Sequence, residues 1–290
     1  MVQTSFAGSK DIWLSNFGIS PRLRCKLPLN KGHYVFGRPE NILPERATLA
    51  LVAELCRDCT DFLDVGANEG LFTFWAESKG CPDLRLHWFE PDRTLYSRLK
   101  ENLAHNSIHA MGNHVAISAQ SGTEIFFKNL SDDSSGSLTN LFTSTHETIT
   151  EQVNTISLAE YLRNHRIRKA MVKVDVEGAG QAVWEGACEA GLTLHYLIME
   201  MIAPEIDCGL PARIISEGNF YAYYIHDLDL IASYDGTYQY APPFMNWLFC
   251  RLDPESLRAR LVGTRFRVVD DGTRGMSNDV VIRAEGHDKK

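Results

Sequence analysis

A short apolar run, Asp61-Phe-Leu-Asp-Val65, leads without a break into Gly66-Ala-Asn-Glu-Gly70 and on into Leu71–Lys79, a helix stopped by Gly80. A strand that turns through glycine straight into a helix opens a β-α unit. Glycine at the turn lets the backbone approach a ligand closely. The helix points its free N–H groups and its positive end at that ligand. This geometry suits a nucleotide-like cofactor at the carboxyl ends of parallel strands. The dinucleotide fingerprint Gly-x-Gly-x-x-Gly is matched poorly, since the glycines are Gly66 and Gly70 with Asn68 between them. The Gly-Lys-Ser/Thr of a phosphate loop is absent. A tight strand-to-helix turn without a ligand is the competing reading.

The pattern repeats downstream. A second strand, Leu84–Phe89, ends at Glu90-Pro91-Asp92, and Pro91 opens a helix over Thr94–His105. His114–Ser118 reads as a third strand, and Glu124–Lys128 as the second arm of a hairpin after Ser121-Gly122. Residues 129–147 are polar and aperiodic, as expected of a functional loop or lid. Val153–Ile156 is a short strand; Ser157 and Glu160 form a capping-box pattern ahead of a helix over Leu158–His165. Ala170–Val174 ends at Asp175-Val-Glu177-Gly178, with a helix over Gln181–Ala190. Leu194–Met201 ends in Glu200-Met201, a helix covers Pro211–Glu217, and Phe220–Ile225 and Trp247–Leu252 are the last two strands, with Leu228–Pro243 as a loop. Strands alternating with helices imply right-handed crossovers and a largely parallel sheet, and the last two strands, without a long helix between them, imply an antiparallel edge strand. Before Pro44 the chain is turn-rich, with a hairpin around His33–Phe36, and a helix begins near Pro44. The expected organisation is an N-terminal extension (1–45), one α/β domain (46–253) and a C-terminal tail (254–290) holding one strand at Arg265–Val269.

Three acids stand at strand ends. Glu90 follows the second strand, where a carboxylate accepts hydrogen bonds from ribose hydroxyls in nucleotide-binding α/β folds; a helix-start acid favoured by the dipole is the alternative. Asp175 and Glu200 follow two later strands and face the same rim. Asp64 lies inside the first strand, as a buried group that holds the loop by bonding its N–H groups.

The chain carries 29 basic and 37 acidic residues, a formal charge of −8. That argues against a general nucleic-acid binder, which needs a basic surface. Seven cysteines are scattered through apolar segments, as buried thiols in a reducing compartment are. Cys56 and Cys59 form a lone Cys-x-x-Cys without the further ligands of a closed zinc site. No basic stretch followed by an apolar one opens the sequence, and no run approaches the roughly 20 apolar residues of a membrane helix. A cytoplasmic protein without membrane or nucleic-acid partners, monomeric or homodimeric, is expected.

The motifs DVGANEG (64–70), FEPD (89–92), LKENL (99–103), VAIS (115–118), SSGSL (134–138), KVDVEG (173–178) and IME (198–200), in this order, resemble the FkbM family of class I S-adenosylmethionine-dependent methyltransferases. The resemblance covers about residues 60–250. It implies a Rossmann-like, seven-stranded mostly parallel sheet of order 3-2-1-4-5-7-6, with strand 7 antiparallel and helices on both faces. Carried over position by position, Asp64, Gly66, Ala67, Asn68 and Gly70 hold the methionine end of S-adenosylmethionine, Glu90 and Pro91 the ribose, and Val115 and Ala116 the adenine. Ser135 and Ser137 close over the cofactor, and Asp175 faces the methionine amino group or the reacting centre. One departure stands out: Ala179-Gly180 follows Gly178, where family members usually place a further acid at the second position.

Methyl transfer from a sulfonium is an in-line displacement, and the protein chiefly aligns it. A sugar or natural-product hydroxyl also needs its proton removed. Asp175, His146, His226 and Glu200 are the candidate bases. A divalent metal held by Asp175, Glu177 and Glu200 is a second way to acidify a hydroxyl, though no metal site is expected. The aromatic segment Phe220–Tyr224, with Tyr234, Tyr238, Tyr240, Phe244 and Trp247, reads either as a wall for the acceptor or as core packing. O-methylation of a small molecule in natural-product biosynthesis, releasing S-adenosylhomocysteine, leads. N-methylation of an amide or amine, and a non-catalytic cofactor-binding scaffold, are the alternatives.

Overall fold

The computed structural model describes residues 10–13, 24–27, 46–78, 83–130, 136–140, 147–190, 193–237 and 244–270. The apolar run that opens the motif is strand β3 (Asp61–Val65), with every residue buried. Before it come a two-stranded antiparallel ribbon, β1 (Lys10–Trp13) with β2 (Arg24–Leu27), and helix α1 (Arg46–Leu55). After it follow α2 (Leu71–Ser78), β4 (Arg85–Phe89), α3 (Arg93–His105) and β5 (Ala110–Asn113). Next come β6 (Ala116–Ser118), β7 (Gly122–Asn129), β8 (Thr148–Ser157), α4 (Leu158–Asn164), β9 (Ala170–Val174), α5 (Gly180–Glu185) and β10 (Leu194–Ile202). The described chain ends with α6 (Ala203–Asp207), α7 (Leu210–Gly218), β11 (Tyr221–His226), β12 (Asp229–Ser233), β13 (Phe244–Cys250), α8 (Pro254–Arg260) and β14 (Arg267–Val269).

Nine strands form the main sheet in the order β14-β12-β11-β13-β10-β9-β3-β4-β5. The five from β5 to β10 are parallel, and β13 runs antiparallel to both neighbours. The order 3-2-1-4-5-7-6 is therefore contained in it, as β5-β4-β3-β9-β10-β13-β11. The expected seven strands are exceeded by β12, which pairs antiparallel with β11, and β14, parallel to β12.

Successive strand residues point to opposite faces, and both faces are covered. Phe62, Trp88, Met171, Ile198 and Leu248 pack with Leu49, Phe74, Leu99 and Leu257 on one side. Leu63, Val65, Val172, Met199 and Trp247 pack with Leu158, Tyr161, Trp184 and Ile214 on the other. A strand buried on both faces reads as a continuous apolar run, which is why β3, β9 and β10 are plain in the sequence.

The structure corrects several expectations. The third strand of the sheet is Ala110–Asn113; Ala116–Ser118 belongs to a separate sheet of order β6-β8-β7. The 122–129 arm pairs antiparallel with β8. The segment expected as a loop at 228–243 contains β12, and the helix over 181–190 stops at Glu185, with a separate turn at Cys188–Ala190. In the expected tail, residues 254–270 carry α8, which was not expected, and β14, at the strand expected over Arg265–Val269; Leu257, Leu261 and Val268 are buried in the main core. The hairpin expected around His33–Phe36 lies outside the described residues. Cys56 and Cys59 are buried, with Cys56 Sγ 3.5 Å from Met171 Sδ and Cys59 Sγ directed at the Leu55 carbonyl. No helix among the described residues is long and apolar enough to cross a membrane.

Candidate functional site

The loop after β3 is held in left-handed backbone at three positions, Gly66 (φ +78°), Asn68 (+51°) and Gly70 (+81°). Gly66 has a second constraint: a Cβ there would stand 1.8 Å from the carbonyl oxygen of Asp175. The ends of β3 and β9 thus meet at a point that admits only hydrogen. Gly66 and Ala67 donate their N–H groups to the Phe89 carbonyl at 3.1 and 3.0 Å, which ties the loop to the end of β4. Asp64 sits below, 1% exposed. Its Oδ2 accepts the Thr73 N–H at 2.9 Å and the Thr73 hydroxyl at 2.6 Å. It therefore satisfies a first-turn N–H of α2 that the helix cannot. Burial pushes its carboxyl up to about 6.

Glu90 follows β4 and is 4% exposed. Its Oε2 accepts the Asn68 N–H and its Oε1 the Asp92 N–H, both at 2.8 Å. One carboxylate thereby joins the glycine loop to the start of α3 and is aimed by two main-chain donors. Asp92 caps α3, accepting from Thr94 and Leu95, and pairs with Lys128 of β7. Burial pushes the Asp92 carboxyl up, but Lys128 and the two cap N–H groups outweigh it and hold it below the usual range.

At the end of β9, Lys173 is fully buried. Its Nζ donates to Asp175 Oδ2 and to the Val174 carbonyl, each at 3.3 Å, lies 4.0 Å from Glu200 Oε2 and stands 4.9 Å above the Phe72 ring. A strap at 136–140 crosses from the second sheet: Ser137 exchanges main-chain bonds with Phe127, and its hydroxyl donates to the Val176 carbonyl at 3.1 Å. A Cβ at Gly136 would stand 2.4 Å from the Phe126 ring, so the strap lies flat on β7.

These pieces line a cleft, open to solvent, at the carboxyl ends of β3, β4 and β9. Of the residues singled out in the sequence, Gly66, Asn68, Glu90, Pro91, Val115, Ala116, Ser137 and Asp175 line it. Lys128, Asp92, Val176 and Glu177 line it as well. Asp64, Ala67 and Gly70 do not; they shape the loop from behind. Lys173 opens the KVDVEG motif and Lys128 stands in β7, yet the sequence assigns neither a role, since Phe72 and Glu200 for the one and Asp92 for the other come from distant segments.

The expected bases separate. Asp175 and Glu200 both approach Lys173, at 3.3 and 4.0 Å, but of the two only Asp175 lines the cleft. His226 ends β11, three strands from β9, roughly 14 Å at about 4.8 Å per strand, and it is not among the cleft's lining. Ser135 and His146 lie outside the described residues. The expected aromatic wall divides: Phe220, Tyr223, Tyr224 and Trp247 are buried in the core, whereas Tyr221 and Tyr234 are exposed, and none of the six lines the cleft. Among the described residues no three acids, histidines or cysteines are placed to share a metal ion. Between Asp175 and Glu200 the cation is the Lys173 ammonium.

Residues 64–207 match the Methyltransferase FkbM domain, about half of the chain. The chain belongs to the FkbM methyltransferase family. Its domain is that of a S-adenosylmethionine-dependent methyltransferase. The FkbM departure at Gly180 has a structural reason here: its N–H donates to Glu205 Oε1 at 2.7 Å, and a Cβ there would stand 2.7 Å from the same oxygen. The buried Glu205 carboxylate, pushed up by that burial, occupies the space a side chain at 180 needs.

Solved structures resemble this FkbM chain at low identity. A methyltransferase FkbM from Methylobacillus flagellatus KT is 16% identical, covering 66% of this chain and 44% of its own, with a TM-score of 0.41. The chain thus spans less than half of that protein's length. TrmK of M. capricolum, in complex with S-adenosyl-homocysteine, is 12% identical over 70% of this chain and 66% of its own, TM-score 0.36. The human methyltransferase 10 domain containing protein is 10% identical over 83% and 92%, TM-score 0.42. No curated protein matches the sequence.

Proposed function

We propose that the chain methylates a hydroxyl group of a small molecule, a sugar or another natural product, with S-adenosylmethionine in the cleft between the Gly66 loop and Glu90. The residues present suit that cofactor. The glycine loop lets main chain approach it, and Glu90 presents a pre-aimed carboxylate to the ribose hydroxyls, since each carboxylate oxygen accepts more than one bond. Val115 and Ala116 give an apolar edge to the adenine, and Asp175 a negative charge to the amino group. When bound, the cofactor supplies a methyl group already activated on a cationic sulfur.

One observation carries the choice of a hydroxyl: two carboxylates, Asp175 just past β9 and Glu200 in the neighbouring β10, within 4.0 Å of one ammonium. An amine sheds its proton in a separate equilibrium, and its free base then attacks through its own lone pair. A hydroxyl must lose its proton as the bond to carbon forms, and a carboxylate at the rim can take it. The formal charge of −8 also favours a small acceptor over a nucleic acid.

The test is a turnover screen with methyl-labelled S-adenosylmethionine against matched pairs of sugar and polyketide alcohols and their amino analogues. Labelled ether products from the alcohols support the reading. Transfer to the amino analogues alone, or cofactor binding without turnover of any acceptor, overturns it.

A further inference from the structure

The least expected group in the molecule is a lysine in the middle of a sheet. Lys173 lies on β9 with 0% of its surface exposed, where an unpaired ammonium is strongly disfavoured. Three elements besides its own face it. From β3 comes Asp64, whose charge it feels; from the end of β10 comes Glu200, at 4.0 Å; from α2 comes the Phe72 ring, at 4.9 Å. Its own strand adds Asp175 at 3.3 Å. Asp64 has its bonds to Thr73. Asp175 and Glu200 are different: they are 28% and 18% exposed, and Asp175 lines the cleft. The lysine has no surface on the cleft, yet its ammonium lies 3.3 Å from the one acid and 4.0 Å from the other.

We propose that Lys173 is a positioning residue, which acts through Asp175 and Glu200 by keeping both ionised and aimed at the rim where the cationic cofactor and the acceptor meet. Two carboxylates drawn toward one point repel each other, and the pair favours taking up a proton when no cation lies between them. With the ammonium in place, the pair carries a charge ready for the sulfonium and the methionine amino group. Without it, one of the two holds a proton until a cation arrives. This rests on the cofactor reading above.

The experiment is calorimetric titration of the full chain with S-adenosylhomocysteine at neutral pH, in buffers of different ionisation enthalpy. It compares the parent, Lys173→Met, Lys173→Arg, and Lys173→Met combined with Glu200→Gln. The parent binds with little proton exchange. Lys173→Met binds at least about tenfold more weakly and releases about one proton per ligand bound, from the carboxyl pair to the buffer. Lys173→Arg, which restores the charge, suppresses the release. The double substitution, with one acid fewer to neutralise, also suppresses it and melts above Lys173→Met. The last comparison stands even when the single variant folds too poorly to titrate. Weaker binding of Lys173→Met without proton release, or a double variant that melts no higher than the single one, overturns the assignment and leaves the cofactor reading intact. A parent that does not bind S-adenosylhomocysteine overturns both.

Discussion

Glu90→Gln looks conservative and is not. The glutamate accepts one main-chain N–H on each carboxylate oxygen, from Asn68 and from Asp92, both at 2.8 Å, and it is 4% exposed. An amide of the same shape keeps one acceptor and turns an NH₂ group toward the other N–H. One charge-assisted bond is lost, about 1.5–3 kcal/mol, and a buried donor is left facing a donor. We expect a stability loss of about 2–4 kcal/mol, or roughly 5–15 °C in melting temperature for a domain of this size. The ligand reads the same change separately. Loss of one ribose bond to a carboxylate weakens S-adenosylhomocysteine by about 10- to 150-fold. Adenosine, which has the ribose and lacks the methionine, distinguishes the two ends of the cleft. In calorimetry Glu90→Gln weakens both ligands by a similar factor, whereas Asp175→Asn weakens S-adenosylhomocysteine and spares adenosine. Affinity within threefold of the parent, or a loss for S-adenosylhomocysteine that adenosine does not share, would refute the assignment of Glu90 to the ribose.

Gly66→Ala places a methyl group on the Asp175 carbonyl and in left-handed backbone, so we expect at least ~3 kcal/mol of destabilisation; a parent-like melting curve counts against the contact. Asp64 gives a pH signature. Its folded value of about 6 against an ordinary 3.8 means that the folded state holds a proton the unfolded state has released, so this group makes stability fall as pH rises through that window. Asp64→Asn, whose amide oxygen still accepts from Thr73, removes that slope, about 3 kcal/mol in all; an unchanged pH profile in denaturant titrations shows the slope to come from elsewhere. Tyr161→Phe cuts a buried chain in which Asn113 donates to the phenol oxygen, the phenol pairs with His87 Nδ1 at 2.9 Å, and His87 Nε2 pairs with Asp61 at 3.0 Å. It costs about 1–3 kcal/mol in chemical denaturation, and a neutral result means the chain is re-satisfied by water.

The parts of the site that could be read in the sequence are those whose cause is local. Gly66 and Gly70 mark left-handed turns, Glu90 stands directly after an apolar strand, and β3 and β9 are continuous apolar runs because both their faces are covered. What was misread depends on partners far along the chain. Strand β5 reads Ala-Met-Gly-Asn, poor strand formers. Gly112 is needed there because the Trp88 ring lies where its Cβ would be, 2.2 Å from Cζ2. Lys173 looks like an ordinary polar residue until Asp175, Glu200 and Phe72 close round it. The aromatic run at 220–224 suggested a wall for the acceptor, yet alternation sends Tyr223 and Tyr224 into opposite cores. Helix α8 is different, since its signal was present: Asp253 before Pro254 caps it by accepting the Ser256 N–H at 2.7 Å.

The wall that Ser137 makes has a consequence for how a ligand enters and leaves. It is fastened to the rest of the cleft by two main-chain bonds to Phe127 and one hydroxyl bond to the Val176 carbonyl. At about 1 kcal/mol net each, these bonds contribute about 3 kcal/mol to holding the wall, beside the packing of Leu138 against Ala116, Phe126 and Val153. Every one of them lies outside the nine-stranded sheet. The site can therefore be unlatched and relatched on one side, at the rate of a local fluctuation, while the opposite side, built on β3, β4 and β9, stays in register for the next cofactor.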